Sequence, residues 1–207
     1  VSTASIYPKT VQGRVSEKRT PVPKTPYAKT KFITEQLIND YKVYGLKSTI
    51  LRLFNVAGAH GFNDLDIGKN VITVLLNLIK DNRLFTLMGN DYPTPDGTCV
   101  KDFIHVDDVT EAIGKSAAKL LEPDTASQTY NLGTGKGTSL GELIRKSIDI
   151  TGKELKLRIG AALEDEVPSL IANNTKIKKD LGWAPQKNID EIITSCWKWI
   201  LQNGGKR

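Results

Sequence analysis

Apolar and polar positions follow two rhythms along this chain. From Tyr27 to Gly45 apolar residues recur every three to four positions. Phe32, Ile33, Leu37, Ile38 and Tyr41 share one side, which predicts an amphipathic helix stopped by Gly45. Ser48 to Phe54 is β-branched and largely apolar, which predicts a strand buried on both faces. Helical spacing returns over 70–82, a short strand follows at Leu84 to Met88, and Asp107 and Asp108 open a helix that runs to about Leu121. Gln128 to Leu132 and Leu155 to Ile159 read as strands. Ser139 and Glu142 form a capping box, and two helices close the chain over 174–181 and 189–201. Strands and helices take turns, which predicts an α/β fold with a mainly parallel sheet. Val1 to Ala4 reads as the end of a strand, so the chain opens in mid-element. It is expected to be part of a longer protein, with an extended N-terminal arm as the alternative.

Composition narrows the class. The 207 residues are 39% apolar and 25% charged, close to the average of globular proteins and large enough for an unstapled core. No apolar run approaches the roughly 18–20 residues of a membrane span, and the first residues lack a signal-peptide pattern. A cytoplasmic protein with no membrane association is expected. The net charge of +6 invites a nucleic-acid reading, but the basic residues are scattered, with only small knots such as Lys176, Lys178 and Lys179. A solvated surface fits better, and no nucleic-acid partner is expected. Cys99 and Cys196 form no disulfide framework, and with His60 and His105 they show no metal-ligand spacing. A reducing compartment and no metal are expected.

Tyr27 and Lys31 lie four residues apart, one above the other on a helix. A phenol titrates near ~10 in water, and a neighbouring ammonium favours the phenolate, so this pair has the makings of a general base. Tyr and Lys also meet at this spacing by chance on many helices. Thr3 adds context, as a hydroxyl at a strand end, where α/β sheets bind ligands. Other features invite plainer readings. Gly133-Thr-Gly135-Lys-Gly137 sits between a strand and a helix as a phosphate loop would. The dinucleotide fingerprint needs glycine at 138, where the chain has Thr, so a strand-to-helix turn is favoured. His105 has no nucleophile in its own motif, which favours packing or hydrogen bonding. Trp197 and Trp199 share a helix with Ile189, Ile192, Ile193 and Ile200, and at least one is expected in the core.

Thr3, Tyr27 and Lys31 resemble the catalytic set of the extended short-chain dehydrogenase/reductase family. Thr3-Ala-Ser-Ile-Tyr7, Pro26-Tyr-Ala-Lys-Thr-Lys31, Leu51-Arg-Leu-Phe-Asn55, Ala57-Gly-Ala-His60, Gly89 to Thr98, Asp102-Phe-Ile-His-Val106, Tyr130-Asn-Leu-Gly133 and Leu181-Gly-Trp183 follow in family order and are similar to UDP-glucose 4-epimerases over the whole chain. The resemblance implies part of a doubly wound, Rossmann-like parallel-sheet domain over 1–60, with the chain crossing back near 100–132. A smaller α/β sugar-nucleotide domain would occupy most of 61–207. It implies NAD as cofactor and a UDP-sugar as substrate, interconverting UDP-glucose and UDP-galactose through a 4-keto sugar. Tyr27 would be the base. Lys31 would hold the nicotinamide ribose and lower the phenol's pKa, and Thr3 would bind the reacting hydroxyl. Phe54 would line the nicotinamide, and Asn55, Asn70, Lys101 and the strand Thr86, Leu87, Met88 would meet the sugar nucleotide. Family members are commonly homodimers.

Departures accompany the likeness. The family's glycine-rich, NAD-binding turn is not in this chain. The expectation is a C-terminal portion whose Ser48 to Phe54 strand pairs with strands outside it, with the N-terminal half possible in trans. Lys101 stands where the family usually has Arg, and Leu163-Glu-Asp-Glu166 where it has Arg-x-Gly-Asp, which weakens the expected grip on phosphate. Pro8 replaces a usual glycine, and Leu170 falls near a position that gates N-acetylated sugars. The alternatives are a non-catalytic or partner-dependent fragment, and a related sugar-nucleotide dehydratase or decarboxylase.

Overall fold

The computed structural model describes residues 1–8, 13–61, 70–163 and 166–203. The chain enters through β1 (Ser2–Thr3) and a 3-10 turn (Ala4–Ile6), then β2 (Arg14–Val15) and α1 (Pro26–Asp40). A second 3-10 turn (Tyr41–Tyr44) ends at Gly45, whose φ of 86° is left-handed and suits glycine. There follow β3 (Thr49–Leu53), β4 (Asn55–Ala57), α2 (Val71–Lys80), β5 (Leu84–Met88), β6 (Val100–Lys101), β7 (Phe103–His105) and α3 (Val106–Leu120). The remainder is β8 (Gln128–Leu132), β9 (Thr138–Ser139), α4 (Leu140–Thr151), β10 (Lys156–Gly160), β11 (Ser169–Ala172), α5 (Thr175–Leu181) and α6 (Ile189–Asn203). The predicted elements are present within a few residues of their predicted bounds.

The alternation yields parallel pairing, as expected. One sheet runs β1-β3-β8, all parallel, and pairs Thr3 with Leu53 and Leu53 with Leu132. Ser48 to Phe54 was expected to pair with strands outside the chain. Instead β3 is flanked on both sides from within it, and β1 and β8 are the edges of this sheet among the described residues. β2-β11-β6-β9 form a second sheet whose last pair is antiparallel, and β5 with β10 and β4 with β7 are parallel pairs.

Successive residues of a strand face opposite ways. Leu51 joins Ile104, Val109, Ala112, Tyr130, Leu132, Ile177 and Trp183 on the α3 and α5 side. Arg52 points to the other side, against Glu35 of α1. Ala4, Ile6, Tyr7, Val15, Ala28, Phe54 and Ala172 form the core between α1 and the strand ends. The largest core packs α2, α4 and α6 on β5, and Trp197 belongs to it with Trp199 against its margin.

The expected buried face of α1 is corrected. Ala28 and Glu35 are its buried residues, with Phe32 packed beside them, whereas Ile33, Leu37 and Tyr41 are 54%, 53% and 57% exposed. The ion pair of Glu35 with Arg52 turns the helix, and the apolar stripe follows to the outside. Helix α3 is capped by His105, whose Nδ1 accepts the Asp107 N–H, and Asp107 and Asp108 lie in its first turn. Ser139 caps α4 by accepting the Glu142 N–H, the half of the capping box that its hydroxyl supplies. Cys99 and Cys196 are free and buried. Among the described residues no helix is long and apolar enough to cross a membrane.

Candidate active site

Thr25 starts α1 by accepting the Ala28 N–H at 3.1 Å, and Pro26 takes the first helical position, where no N–H is needed. That start puts Tyr27 on the outer side, 56% exposed, with Lys31 one turn on and its Nζ 6.0 Å from the ring centroid. The helix packs on β1 and the turn after it. Thr3 ends β1, buried, and its Oγ1 accepts the Ser5 N–H and donates to Ser5 Oγ, each at 3.2 Å. Phe54 is buried in one cluster with Ala4 and Ala28, the sequence neighbours of Thr3 and Tyr27.

Through Tyr7 that cluster joins a network that sequence reasoning missed. Arg52 donates through Nε and Nη2 to the carboxylate of Glu35, at 3.0 and 2.7 Å, and through Nη1 to the Tyr7 hydroxyl at 2.9 Å. Tyr7 donates to Asn131 Oδ1 at 2.6 Å, and Asn131 Nδ2 donates to the Val15 carbonyl. All four side chains are buried. Burial pushes the Tyr7 phenol up, against the Arg52 charge that pulls it down. The signal in the sequence was a lone arginine inside an apolar strand, because a buried guanidinium requires a carboxylate partner.

The Gly133–Gly137 turn proves to be wrapped around a carboxylate. Asp102 accepts the N–H groups of Thr134, Gly135 and Ala172 at 2.8, 2.9 and 3.0 Å and the Thr134 hydroxyl at 2.6 Å. A Cβ on Gly133 would stand 2.7 Å from Asp102 Oδ2. The turn therefore looks like an anion loop because it is one, and the anion is the protein's own. Burial pushes the Asp102 carboxyl up, and the four donors pull it down.

The other expected site residues divide. Asn55 follows Phe54, and both its backbone and its side-chain amide donate to the Asp102 carbonyl, at 3.0 and 3.2 Å. Asn70 caps α2 by accepting the Thr73 N–H at 3.0 Å. Thr86 and Met88 share one face of β5, where Arg158 donates to the Thr86 hydroxyl at 3.2 Å, while Leu87 points the opposite way into the core. Lys101, on β6, forms an ion pair with Glu166 and donates to the Val167 carbonyl at 3.3 Å. Leu163 is partly exposed and its N–H donates to the Tyr92 hydroxyl. Glu164 and Asp165, read as part of the altered phosphate segment, lie outside the described residues.

His105 sits 3.1 Å from Ser195 Oγ and 3.4 Å from the Asp107 carboxylate, an outline of a serine-histidine-aspartate triad. The protons run the wrong way for a nucleophile. Nδ1 accepts the Asp107 N–H, which leaves the proton on Nε2, facing Ser195; Ser195 itself donates to the Ile192 carbonyl at 2.9 Å. Burial holds His105 below its ordinary pKa, despite Asp107 and Asp108 nearby. Its role is to cap α3 and tie it to α6.

Parallel strands between helices, with a tyrosine and a lysine one turn apart beside a strand-end hydroxyl, place the chain among Rossmann-like proteins of the short-chain dehydrogenase/reductase type. Within that class it belongs to the GDP-mannose 4,6 dehydratase family, whose profile matches residues 1–196. A UDP-glucose 4-epimerase of Rhizobium leguminosarum bv. trifolii is 38% identical over 191 residues, which are 89% of this chain and 58% of that protein. The crystal structure of UDP-glucose-4-epimerase from Stenotrophomonas maltophila, with bound NAD and formylated UDP-arabinopyranose, matches at a TM-score of 0.92 and 30% identity. It covers 100% of this chain and 63% of that one. The UDP-glucose 4-epimerase of Bifidobacterium longum in complex with NAD+ and UDP matches at 0.87 and 26% identity, over 100% and 64%. The chain thus spans less than two thirds of the length of each.

Proposed function

We propose that this chain is the tyrosine–lysine and sugar-nucleotide portion of a cytoplasmic, NAD-dependent UDP-glucose 4-epimerase. The observation that carries the proposal is that α1, with Tyr27 and Lys31 one turn apart, packs on β1, which ends in Thr3. Tyr27 Oη takes the proton of the sugar's C4 hydroxyl, and the Lys31 ammonium favours the resulting phenolate. Thr3 Oγ1 shares that hydroxyl and fixes its direction. NAD would supply a hydride acceptor and donor for the sugar's C4. Lys31 and Phe54 suit the nicotinamide ribose and ring. The Gly133–Gly137 turn does not serve the pyrophosphate, because it already closes on Asp102. Because the chain spans less than two thirds of its relatives' length, the nucleotide half of the site is proposed to lie in sequence outside it, in cis or in trans. The exposed stripe of Ile33, Leu37 and Tyr41 favours a further protein surface over α1, and a homodimer is the proposed arrangement.

The test is calorimetric titration of the purified chain with NAD, followed by incubation with UDP-galactose and product identification. Tight NAD binding and conversion to UDP-glucose support an active assembly. No NAD binding favours the second reading, a partner-dependent portion, which the self-occupied glycine turn already supports. A dehydratase needs an acid beside the reacting hydroxyl, and the side-chain partner of Thr3 is Ser5.

A further inference from the structure

A cavity of about 610 Å³ opens between the Gly133–Gly137 turn, α4, α5 and the start of α6. Its size falls within the roughly 300–1,000 Å³ of small-molecule sites. Thr3, Tyr27, Lys31 and Phe54 line no part of it. Four lysines line it from four segments: Lys136 from the turn, Lys146 from α4, Lys178 from α5 and Lys187 from the loop before α6. Two carboxylates, Glu142 and Asp190, share the lining.

The positive charge is unevenly committed. Lys146 donates to Asp190 Oδ1 at 2.8 Å, and Lys187 donates to Glu191 Oε1 at 3.2 Å. Lys136 and Lys178 are exposed, and among the described residues their ammonium groups have no hydrogen bond or ion pair. Both stand on fixed backbone. The Lys136 N–H donates to Thr134 Oγ1 at 3.1 Å, and Thr134 and Gly135 on the same turn are tied to Asp102. Lys178 follows Ile177, which is fully buried in the core under α5. A concave wall with uncompensated charge of one sign concentrates counter-ions. No arginine is in the lining. A planar carboxylate is matched best by arginine's fork, whereas an ammonium meets the oxygens of a phosphate from any direction.

We propose that this cavity binds a small molecule carrying two or more linked phosphate groups, held between Lys136 and Lys178. Two ammonium groups on separate elements call for at least two anionic groups a short link apart. The glycine turn thus uses its N–H groups on Asp102 and offers the ligand a side chain instead.

The experiment is calorimetric titration of the full chain with inorganic tripolyphosphate, with citrate as the polycarboxylate comparison, at low and high salt. Lys136→Gln with Lys178→Gln is expected to weaken tripolyphosphate by about ten-fold or more, the scale of lost charge-assisted hydrogen bonds. Lys42→Gln with Lys47→Gln removes the same charge from exposed positions outside the cavity and is expected to leave binding unchanged. Asp190→Asn releases Lys146 and removes a like charge, so it is expected to tighten tripolyphosphate, and the gain should shrink at high salt. Circular dichroism checks each fold; the substituted lysines are exposed, and the gain in Asp190→Asn cannot come from misfolding. Equal weakening by the two lysine pairs, or no binding of tripolyphosphate by the wild-type chain, overturns the site. Citrate bound as tightly as tripolyphosphate overturns the assignment to phosphate. None of these outcomes bears on turnover at Tyr27.

Discussion

Tyr27 is the residue on which the proposed chemistry turns, and removal of one oxygen tests it. Tyr27→Phe is expected to lower UDP-galactose turnover by about 100-fold or more, the scale of a lost general base, with circular dichroism unchanged because the ring is exposed. A variant with more than a tenth of wild-type rate excludes Tyr27 as the base. His105 permits a test by pH. Burial lowers its pKa from the ordinary 6.5, so in the window below 6.5 the unfolded chain binds more protons than the folded one. Its contribution to stability is complete above about pH 6.5 and is lost as the pH falls through the folded value. Thermal melts between pH 7.5 and pH 5 should therefore show a steeper fall in wild type than in His105→Gln; parallel curves would contradict the assignment. These residue-level readings were accessible in unequal measure. The i, i+4 spacing made Tyr27 and Lys31 visible, and the lack of a local nucleophile made His105 read as structural. The partner of His105, Ser195, comes from a distant segment and leaves no local mark in the sequence.

At the scale of elements, the periodicity that located α1 misassigned its inner face. Hydrophobic spacing assumes that apolar residues turn inward, and here Glu35 does so, because Arg52 on β3 is waiting for it. An ion pair across a helix and a strand cannot be read from either segment alone. The same holds for the glycine turn, whose ligand, Asp102, lies some thirty residues upstream. The buried pair predicts an asymmetry. Glu35→Met strands a guanidinium away from water and should cost about 3–5 kcal/mol in denaturant unfolding. The double change Glu35→Met with Arg52→Met should recover most of that loss, because no charge is then left unpaired. Equal losses in the single and double variants would show that the pair is not what holds α1.

For the molecule as a whole, the parallel α/β plan followed from the alternation of strand and helix, but the way it closes on itself did not. β3 is bounded by strands that begin at Ser2 and end at Leu132, so both neighbours of this central strand come from this chain. The outer stripe of α1 is exposed. If copies associate through it, Ile33→Glu with Leu37→Glu should shift sedimentation from dimer to monomer at unchanged helicity; a wild-type chain that sediments as a monomer would remove homodimerisation from the proposal. The Tyr7–Asn131 hydrogen bond has a separate consequence. It joins residues 124 positions apart, and through Arg52 it gathers Tyr7, Glu35 and Asn131 into one cluster. Such contacts form only after long loops have closed, which slows folding and defers its final gains to the last steps. The corner that carries Tyr27 and Lys31 is therefore expected to be among the last regions to acquire its native order as the chain folds.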